Sequence, residues 1–199
     1  MLICQLAGFL GSGKTTLLIR LGTALGDAGK RVAIIVNEVG EVGVDGAVIE
    51  SRGLRSVEIS EGCICCSLSG TLQSTLRIVT EEFKPDVIII EPTGIALASK
   101  INQIIRTSMV GEERTIAICL IDAFRAPKLF EEAGPFLSRQ IIGSDIVAIN
   151  KVDIVSPEIV GKIRETVREI SPSSYIVPVS AREGRGVEEL VELLEDAHE

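Results

Sequence analysis

The chain alternates between short apolar runs and longer amphipathic stretches. The apolar runs are rich in Ile and Val and mostly lack polar alternation, which is typical of parallel strands covered on both faces. We predict strands over residues 2–7, 31–36, 87–90, 115–121, 146–149 and 176–179. The amphipathic stretches predict helices over residues 14–28, 69–82, 96–108, 126–133, 157–170 and 187–197. This order predicts an α/β fold with a doubly wound, mostly parallel sheet and helices on both faces.

The composition narrows the class of protein. The 199 residues predict one domain, large enough to bury a full core. A net charge of −8 and 3% aromatic residues argue against nucleic acid as a partner. The sequence has no apolar run near the roughly 18 residues of a membrane span and no recognisable secretion signal. We therefore expect a cytoplasmic protein with no membrane partner.

A glycine-rich motif lies between the first predicted strand and the first predicted helix. Residues 8–15 read G-F-L-G-S-G-K-T and match the nucleoside triphosphate-binding pattern G-x-x-x-x-G-K-[ST]. In such loops the backbone N–H groups and the helix N-terminus hold phosphates, the lysine reaches the β- and γ-phosphates, and the hydroxyl ligates Mg²⁺. The motif predicts a P-loop NTPase. Its expected nucleotide ligands are Gly11, Ser12, Gly13, Lys14, Thr15 and Thr16.

A second motif, N-K-x-D, follows the fifth predicted strand and consists of Asn150, Lys151 and Asp153. Guanine presents two adjacent N–H donors that a carboxylate accepts together, whereas adenine has no such pair. We expect Asp153 to read the base, Asn150 to bridge the base edge and the phosphate loop, and the stem of Lys151 to pack on the base face. A backbone N–H near Ser180 and Ala181 is expected to meet guanine O6. These residues predict GTP as the nucleotide.

Two of the apolar strands end in an acid, Glu91 and Asp122. Either acid could hold Mg²⁺ through water, while the other could be a strand-end cap. Glu91 precedes Pro-Thr-Gly, and that glycine suits a backbone that swings toward a γ-phosphate. We therefore favour Glu91, which gives Lys14, Thr15 and Glu91 as the catalytic residues and Thr15 and Glu91 as the Mg²⁺ ligands.

Three of the five cysteines, Cys63, Cys65 and Cys66, fall within four residues. Thiolates are the ligands that soft metal ions prefer, and a C-x-C pair places both sulfurs on one side of an extended backbone. The cluster fits a transition-metal site, a redox switch or partly buried packing; we favour metal, with Zn²⁺ ahead of Co²⁺ and Ni²⁺. Cys4 and Cys119 lie in apolar runs and are expected to be buried and without a function.

Together these motifs resemble the CobW-like metal-chaperone GTPases, a group allied to the hydrogenase- and urease-maturation GTPases. The resemblance covers nearly the whole chain, and its most specific part is the string G-C-I-C-C at residues 62–66 beside a phosphate loop. It implies GTP hydrolysis linked to delivery of a transition metal to a client metalloenzyme or cofactor-maturation protein. It also supports Glu91 as the Walker B acid and places residues 37–45 near both the γ-phosphate and the metal. Because no arginine finger can be assigned, slow intrinsic turnover is expected.

The chain departs from the family pattern at three points. The usual acid before the switch segment is Val36 here, which leaves Glu38 or Glu41 as an oxygen ligand. Glu41, water or the client is the expected fourth metal ligand. The usual proline after the Walker B glycine is absent from residues 95–99. Many members also carry a C-terminal domain and a histidine-rich stretch; with His198 as the one histidine, we expect a nucleotide-binding domain alone.

Other functions and assemblies stay open at this point. Family members often pair through this domain, so a homodimer is conceivable. A regulatory GTPase whose cysteines are structural or redox-active is the main alternative function. The N-K-x-D motif argues against a small-molecule kinase, and the intact Lys14-Thr15 pair argues against a scaffold with a degenerate nucleotide site.

Overall fold

A seven-stranded parallel sheet forms the centre of the part of the chain that the computed structural model describes, residues 1–36, 55–58, 67–92 and 97–196. The sheet order is β3-β2-β4-β1-β5-β6-β7, and each neighbouring pair is parallel. The strands are β1 (Leu2–Gly8), β2 (Val32–Val36), β3 (Arg55–Glu58), β4 (Val87–Glu91), β5 (Arg114–Asp122), β6 (Ile146–Asn150) and β7 (Tyr175–Pro178).

Helices cover both faces of this sheet. They are α1 (Lys14–Asp27), α2 (Ser67–Phe83), α3 (Ala98–Ser108), α4 (Ala126–Ile142), α5 (Pro157–Ile170) and α6 (Val187–Glu195), and a short 3-10 helix covers Val152–Ile154. Helices α1 and α6 share one apolar core with the sheet, while α2 to α5 pack on the opposite face in two further clusters. The described residues therefore form the predicted doubly wound α/β fold.

The core explains why the strands read as continuous apolar runs. All seven residues of β1 and all five residues of each of β2, β4 and β6 are buried, since both faces of these strands are covered by helices. In β1, Cys4 and Leu6 belong to the core under α1 and α6, whereas Ile3 faces α2 and α3. The six predicted strands are all present, with ends within a residue or two of those predicted.

Two elements differ from the sequence prediction. Strand β3 was not predicted, because Arg-Ser-Val-Glu is too short and polar to stand out; it lies at the edge of the sheet, beside β2. Helix α4 was predicted to end at Ala133 but continues to Ile142, with a kink at Ala133 (φ −134°, ψ 22°) and Pro135 inside. Gly134 and Pro135 broke the helical pattern in the sequence, and in the structure they bend the helix rather than end it.

None of the helices described here is both long enough and apolar enough to span a bilayer.

Candidate functional site

The predicted site residues meet at the carboxyl edge of the sheet. Strand β1 lies between β4 and β5, and the residues after it turn directly into α1. Glu91 ends β4, and Asp122 and Asn150 are register partners at the ends of β5 and β6. Because all these strands are parallel, their last residues lie at one edge, where doubly wound folds bind ligands.

The phosphate loop depends on a glycine at position 13. Gly13 caps the N-terminus of α1 with φ 97°, a left-handed conformation that glycine adopts without strain. A Cβ at this position would also collide with the side-chain amide of Asn150. The loop and the end of β6 therefore pack closely, and a side chain at position 13 would have to displace the hydrogen-bonded amide of Asn150.

Three consecutive carbonyl oxygens of the loop each accept a hydrogen bond from a side chain at the end of β5 or β6. Arg125 Nη1 donates to Leu10 O at 2.9 Å, Lys151 Nζ to Gly11 O at 2.8 Å, and Asn150 Nδ2 to Ser12 O at 2.7 Å. A trans peptide points its N–H opposite to its carbonyl. The N–H groups of Gly11 and Gly13 are therefore turned away from these side chains, as a loop that holds phosphate requires.

Lys14, Thr15 and Glu91 form the polar centre of the site. Lys14 is only 6% exposed; its Nζ donates to Phe9 O at 3.3 Å and lies 4.0 Å from Glu91 Oε1. Burial lowers the pKa of Lys14, and the charge of Glu91 opposes that shift. The Thr15 hydroxyl donates to the Glu91 carboxylate, with Oγ1 3.0 and 3.2 Å from its two oxygens.

This donor set suits Mg²⁺ and phosphate. A hydroxyl and a carboxylate side by side are hard oxygen ligands of the kind that Mg²⁺ prefers. Ser12 Oγ is buried and has no hydrogen-bond partner among the described residues. An unpartnered buried hydroxyl in this loop fits a site that is completed by a bound group.

Asp122 occupies a different place from Glu91. Its Oδ2 accepts from Lys151 Nζ at 2.7 Å, and its Oδ1 accepts from the backbone N–H of Phe124 at 3.0 Å. Asp122 thus caps the turn at the end of β5 and also forms an ion pair with Lys151. Because Glu91 and not Asp122 bonds Thr15, the geometry favours Glu91 for the magnesium role, which stays a prediction.

A pocket of about 240 Å³ adjoins the phosphate loop where the N-K-x-D motif ends. Its lining residues are Gly13, Thr16, Asn150, Lys151, Asp153, Ile154, Ala181 and Arg182. A hydrogen bond from the Ser180 hydroxyl is the main cause that lowers the pKa of Asp153, so its carboxyl is ionised at neutral pH. An ionised carboxylate in this pocket is the acceptor that the two guanine donors require.

Asn150 contacts the phosphate loop, as predicted, and also bonds Ala181, which was not predicted. Asn150 Nδ2 donates to the phosphate loop, and Asn150 Oδ1 accepts from the Ala181 N–H at 3.0 Å. The side chain therefore links the phosphate loop to the loop after β7, and its contact with the base edge stays a prediction. The Ala181 N–H donates to Asn150 here, and a contact of this segment with guanine O6 stays a prediction.

Two arginines were missed by the sequence reading. Arg125 holds Leu10 O, and Arg20 donates through Nε to Ala181 O at 3.2 Å and through Nη2 to Arg182 O at 2.7 Å. Both donate to backbone carbonyls, a role that no short motif marks. The position of Arg125, three residues after the strand-end acid Asp122, was the only available signal.

The predicted transition-metal ligands Cys63, Cys65, Cys66 and Glu41 lie outside the described residues, as do residues 37–45 of the switch segment. Among the residues that are described, no group of three or more His, Cys, Asp or Glu side chains is arranged to hold a metal. The other two cysteines, Cys4 and Cys119, are buried free thiols, and burial raises the pKa of each to about 12.

Known proteins resemble this chain in sequence and in fold. It is 35% identical over 160 residues to the zinc chaperone YeiR of Escherichia coli K12, covering 77% of this chain and 47% of YeiR. It is 28% identical over 198 residues to the zinc-regulated GTPase metalloprotein activator 1 of Schizosaccharomyces pombe, covering 94% of this chain and 48% of that protein. The chain thus spans about half the length of these curated relatives.

The hydrogenase maturation factor HypB from Archaeoglobus fulgidus has a similar fold, with a TM-score of 0.75 and 19% identity over 100% of this chain and 91% of HypB. This likeness confirms the predicted P-loop α/β fold. The model of the CobW/HypB/UreG nucleotide-binding domain matches residues 2–178. Since that match covers most of the chain, the predicted family resemblance is confirmed: the chain belongs to the CobW/HypB/UreG nucleotide-binding domain family.

Proposed function

We propose that this chain binds and hydrolyses GTP and couples its nucleotide state to the binding and delivery of a transition metal. The observation that carries the proposal is the direct bonding of the phosphate loop to the N-K-x-D motif, through Asn150 and Lys151, beside a pocket that contains Asp153. Phosphate-binding and base-reading groups in contact define one nucleotide site. Relatives named as zinc chaperones support a metal as the second ligand.

In this proposal the main polar groups at the site have different tasks. Lys14 and the loop N–H groups bind phosphate, and Asp153 selects guanine. Thr15 and Glu91 would hold Mg²⁺, which supplies charge neutralisation at the β- and γ-phosphates. No water-positioning residue or arginine finger is assigned among the described residues, so we expect slow turnover without a partner.

The topology supports communication between nucleotide and cysteines. Residues 37–54 are joined to the sheet at Val36, residues 59–66 at Glu58, and residues 93–96 follow Glu91-Pro92. Val36 is the register partner of both Glu58 and Glu91. All three segments are therefore anchored at the edge where Glu91 meets Thr15, which is the arrangement a γ-phosphate-dependent switch needs.

We further propose that Cys63, Cys65 and Cys66 bind the metal as thiolates, with Glu41, water or a client group as the fourth ligand. Thiolate ligation favours Zn²⁺, and Co²⁺ or Ni²⁺ also fits this donor set. An open fourth position would let a client ligand enter and begin the transfer. The client in this scheme is a metalloenzyme or a protein of cofactor maturation.

Counting reactive thiols with and without Zn²⁺ tests the ligand assignment. Cys4 and Cys119 are buried and their pKa is raised to about 12, so at neutral pH at most three of the five thiols should react in the native protein. Zn²⁺ should protect those three, and all five should react after unfolding.

The matched variant replaces Cys63, Cys65 and Cys66 together with serine. It should lose Zn²⁺ binding but keep GTP binding, since the groups proposed to bind nucleotide, the phosphate loop and the N-K-x-D motif, are unaltered. Zinc affinity equal to that of the unaltered protein would remove the thiolate assignment. Purified protein that carries no transition metal and gains none on titration would point instead to a regulatory GTPase.

A further inference from the structure

We propose that Asp122 is a positioning residue for nucleotide binding, which shapes the phosphate loop by holding Lys151 and Arg125 against it. The proposal rests on the proposed binding of guanine nucleotide at this site. It gives the second strand-end acid a role distinct from that of Glu91.

The first arm of this arrangement runs through Lys151. Asp122 is 2% exposed, and its Oδ2 lies 2.7 Å from Lys151 Nζ, which in turn donates to Gly11 O at 2.8 Å. A lysine stem is flexible and its ammonium is a point charge without a preferred direction. The buried carboxylate therefore fixes where the ammonium sits, and with it the carbonyl of Gly11.

The second arm runs through Arg125. Asp122 Oδ1 accepts from the backbone N–H groups of Phe124 at 3.0 Å and Arg125 at 3.3 Å. These bonds close the turn between β5 and α4, and Arg125 is the N-cap residue of α4. Its guanidinium Nη1 reaches Leu10 O at 2.9 Å. One carboxylate thus orients the donors of two successive loop carbonyls.

Charge explains why Asp122 needs Lys151. A carboxylate close to a phosphate loop would repel nucleotide if it were unpaired, and a buried charge without a partner destabilises the fold. Lys151 neutralises Asp122 and at the same time points its ammonium at the loop. Asp122 acts on the loop and not on the γ-phosphate or Mg²⁺. Its loss should therefore weaken the binding of GTP and the binding of GDP to the same extent.

A double-mutant cycle on GDP affinity tests this role. Asp122→Asn keeps an oxygen that can cap the turn N–H groups but removes the ionic acceptor of Lys151. We expect it to weaken GDP and GTP by about tenfold to a hundredfold, the range of a hydrogen bond to a charged group. In the Lys151→Met background the same substitution should not weaken GDP binding further and should restore part of it, because it removes a carboxylate that is then unpaired beside the phosphate loop. Asp86→Asn, which breaks the exposed ion pair with Arg31 away from the site, should leave affinity unchanged.

Unfolding in the absence of nucleotide gives a second readout. Lys151→Met leaves the Asp122 carboxylate buried and unpaired, so adding Asp122→Asn should raise the midpoint of thermal unfolding above that of Lys151→Met alone. If the effects of the two substitutions on the free energy of GDP binding are additive, the proposal is overturned.

If Lys151→Met does not fold, the GTP and GDP affinities of Asp122→Asn alone test the proposal. An equal loss for GTP and GDP supports the positioning role. A loss confined to GTP with Mg²⁺ would assign Asp122 to the metal and overturn it. Failure of the unaltered protein to bind GDP would instead contradict the proposed function.

Discussion

Several side chains around the candidate site donate hydrogen bonds to the protein's own backbone. Arg20, Arg125, Lys151 and Asn150 all donate to carbonyl oxygens of the loops that surround the nucleotide position. These bonds fix the loops before any ligand arrives, so less ordering remains to be done on binding. At the scale of the residue, the site is built by a supporting layer of cations and amides as much as by its motif residues.

The proposed base-reading role of Asp153 predicts a change in nucleotide preference. Asp153→Asn replaces an acceptor-only carboxylate with an amide that also donates, so the guanine N1–H and N2–H₂ lose one acceptor. We expect GTP affinity to fall by about tenfold or more. Xanthosine triphosphate carries a carbonyl where guanine has its amino group. The affinity of the variant for this nucleotide should therefore rise relative to its affinity for GTP.

Displacement of a fluorescent GDP by GTP, xanthosine triphosphate and ATP measures this preference. Asp145→Asn is a matched control, because Asp145 lies at the opposite end of β6 and its Oδ2 accepts from the Ala117 N–H. An unchanged order of nucleotide preference in Asp153→Asn would remove Asp153 from base reading.

The turn between β1 and α1 shows how an element boundary creates the site. Its loop carbonyls are fixed from the β5 and β6 ends, and Gly13 allows the close approach of Asn150. Left-handed backbone at a residue with a Cβ costs about 1–2 kcal/mol. At Gly13 the collision with Asn150 adds to that cost.

Gly13→Ala and Gly29→Ala separate these two effects. Gly29 has φ 84°, and a Cβ there would meet nothing within 4 Å. We expect Gly29→Ala to lower the free energy of unfolding by about 1–2 kcal/mol and to leave GDP affinity unchanged. Gly13→Ala should lower stability further and abolish GDP binding. Urea unfolding and GDP titration of both variants check this; equal behaviour would mean that the Asn150 contact does not shape the loop.

The sequence predicted the elements with strong periodicity and missed those whose formation depends on neighbours. Apolar runs identified β1, β2, β4 and β6 because burial on both faces leaves few polar positions; Gln5 inside β1 and the strand-end residues Glu91 and Asn150 are the exceptions. Strand β3 pairs at the sheet edge through its backbone, which its polar sequence does not reveal. The continuation of α4 past Pro135 likewise depends on apolar packing of Leu137 and Ile141 against the sheet.

The sequence likewise predicted part of the candidate site and missed the contacts that depend on tertiary structure. Motif spacing brought Lys14, Thr15 and the N-K-x-D residues to one edge, since parallel strands end together. The pairing of Asp122 with Lys151 was not predictable, because two acids at equivalent strand ends differ only in what faces them. Contacts of this kind depend on the tertiary structure, and a local sequence pattern does not predict them.

On the scale of the whole molecule, we propose above all that nucleotide state and metal affinity are coupled. Residues 37–54, 59–66 and 93–96 are all joined to strands that end at the Glu91 edge. A γ-phosphate that orders segments at this edge would alter the geometry around Cys63, Cys65 and Cys66. Such coupling must be reciprocal, so metal must change GTP affinity by the factor by which GTP changes metal affinity.

Titration of Zn²⁺ into the protein loaded with a non-hydrolysable GTP analogue, and separately with GDP, tests this claim most directly. The account predicts different zinc affinities in the two states, by about fivefold or more for a coupling free energy near 1 kcal/mol. Zinc should change the ratio of analogue to GDP affinity by the same factor. Identical zinc affinities in the two nucleotide states would contradict the account.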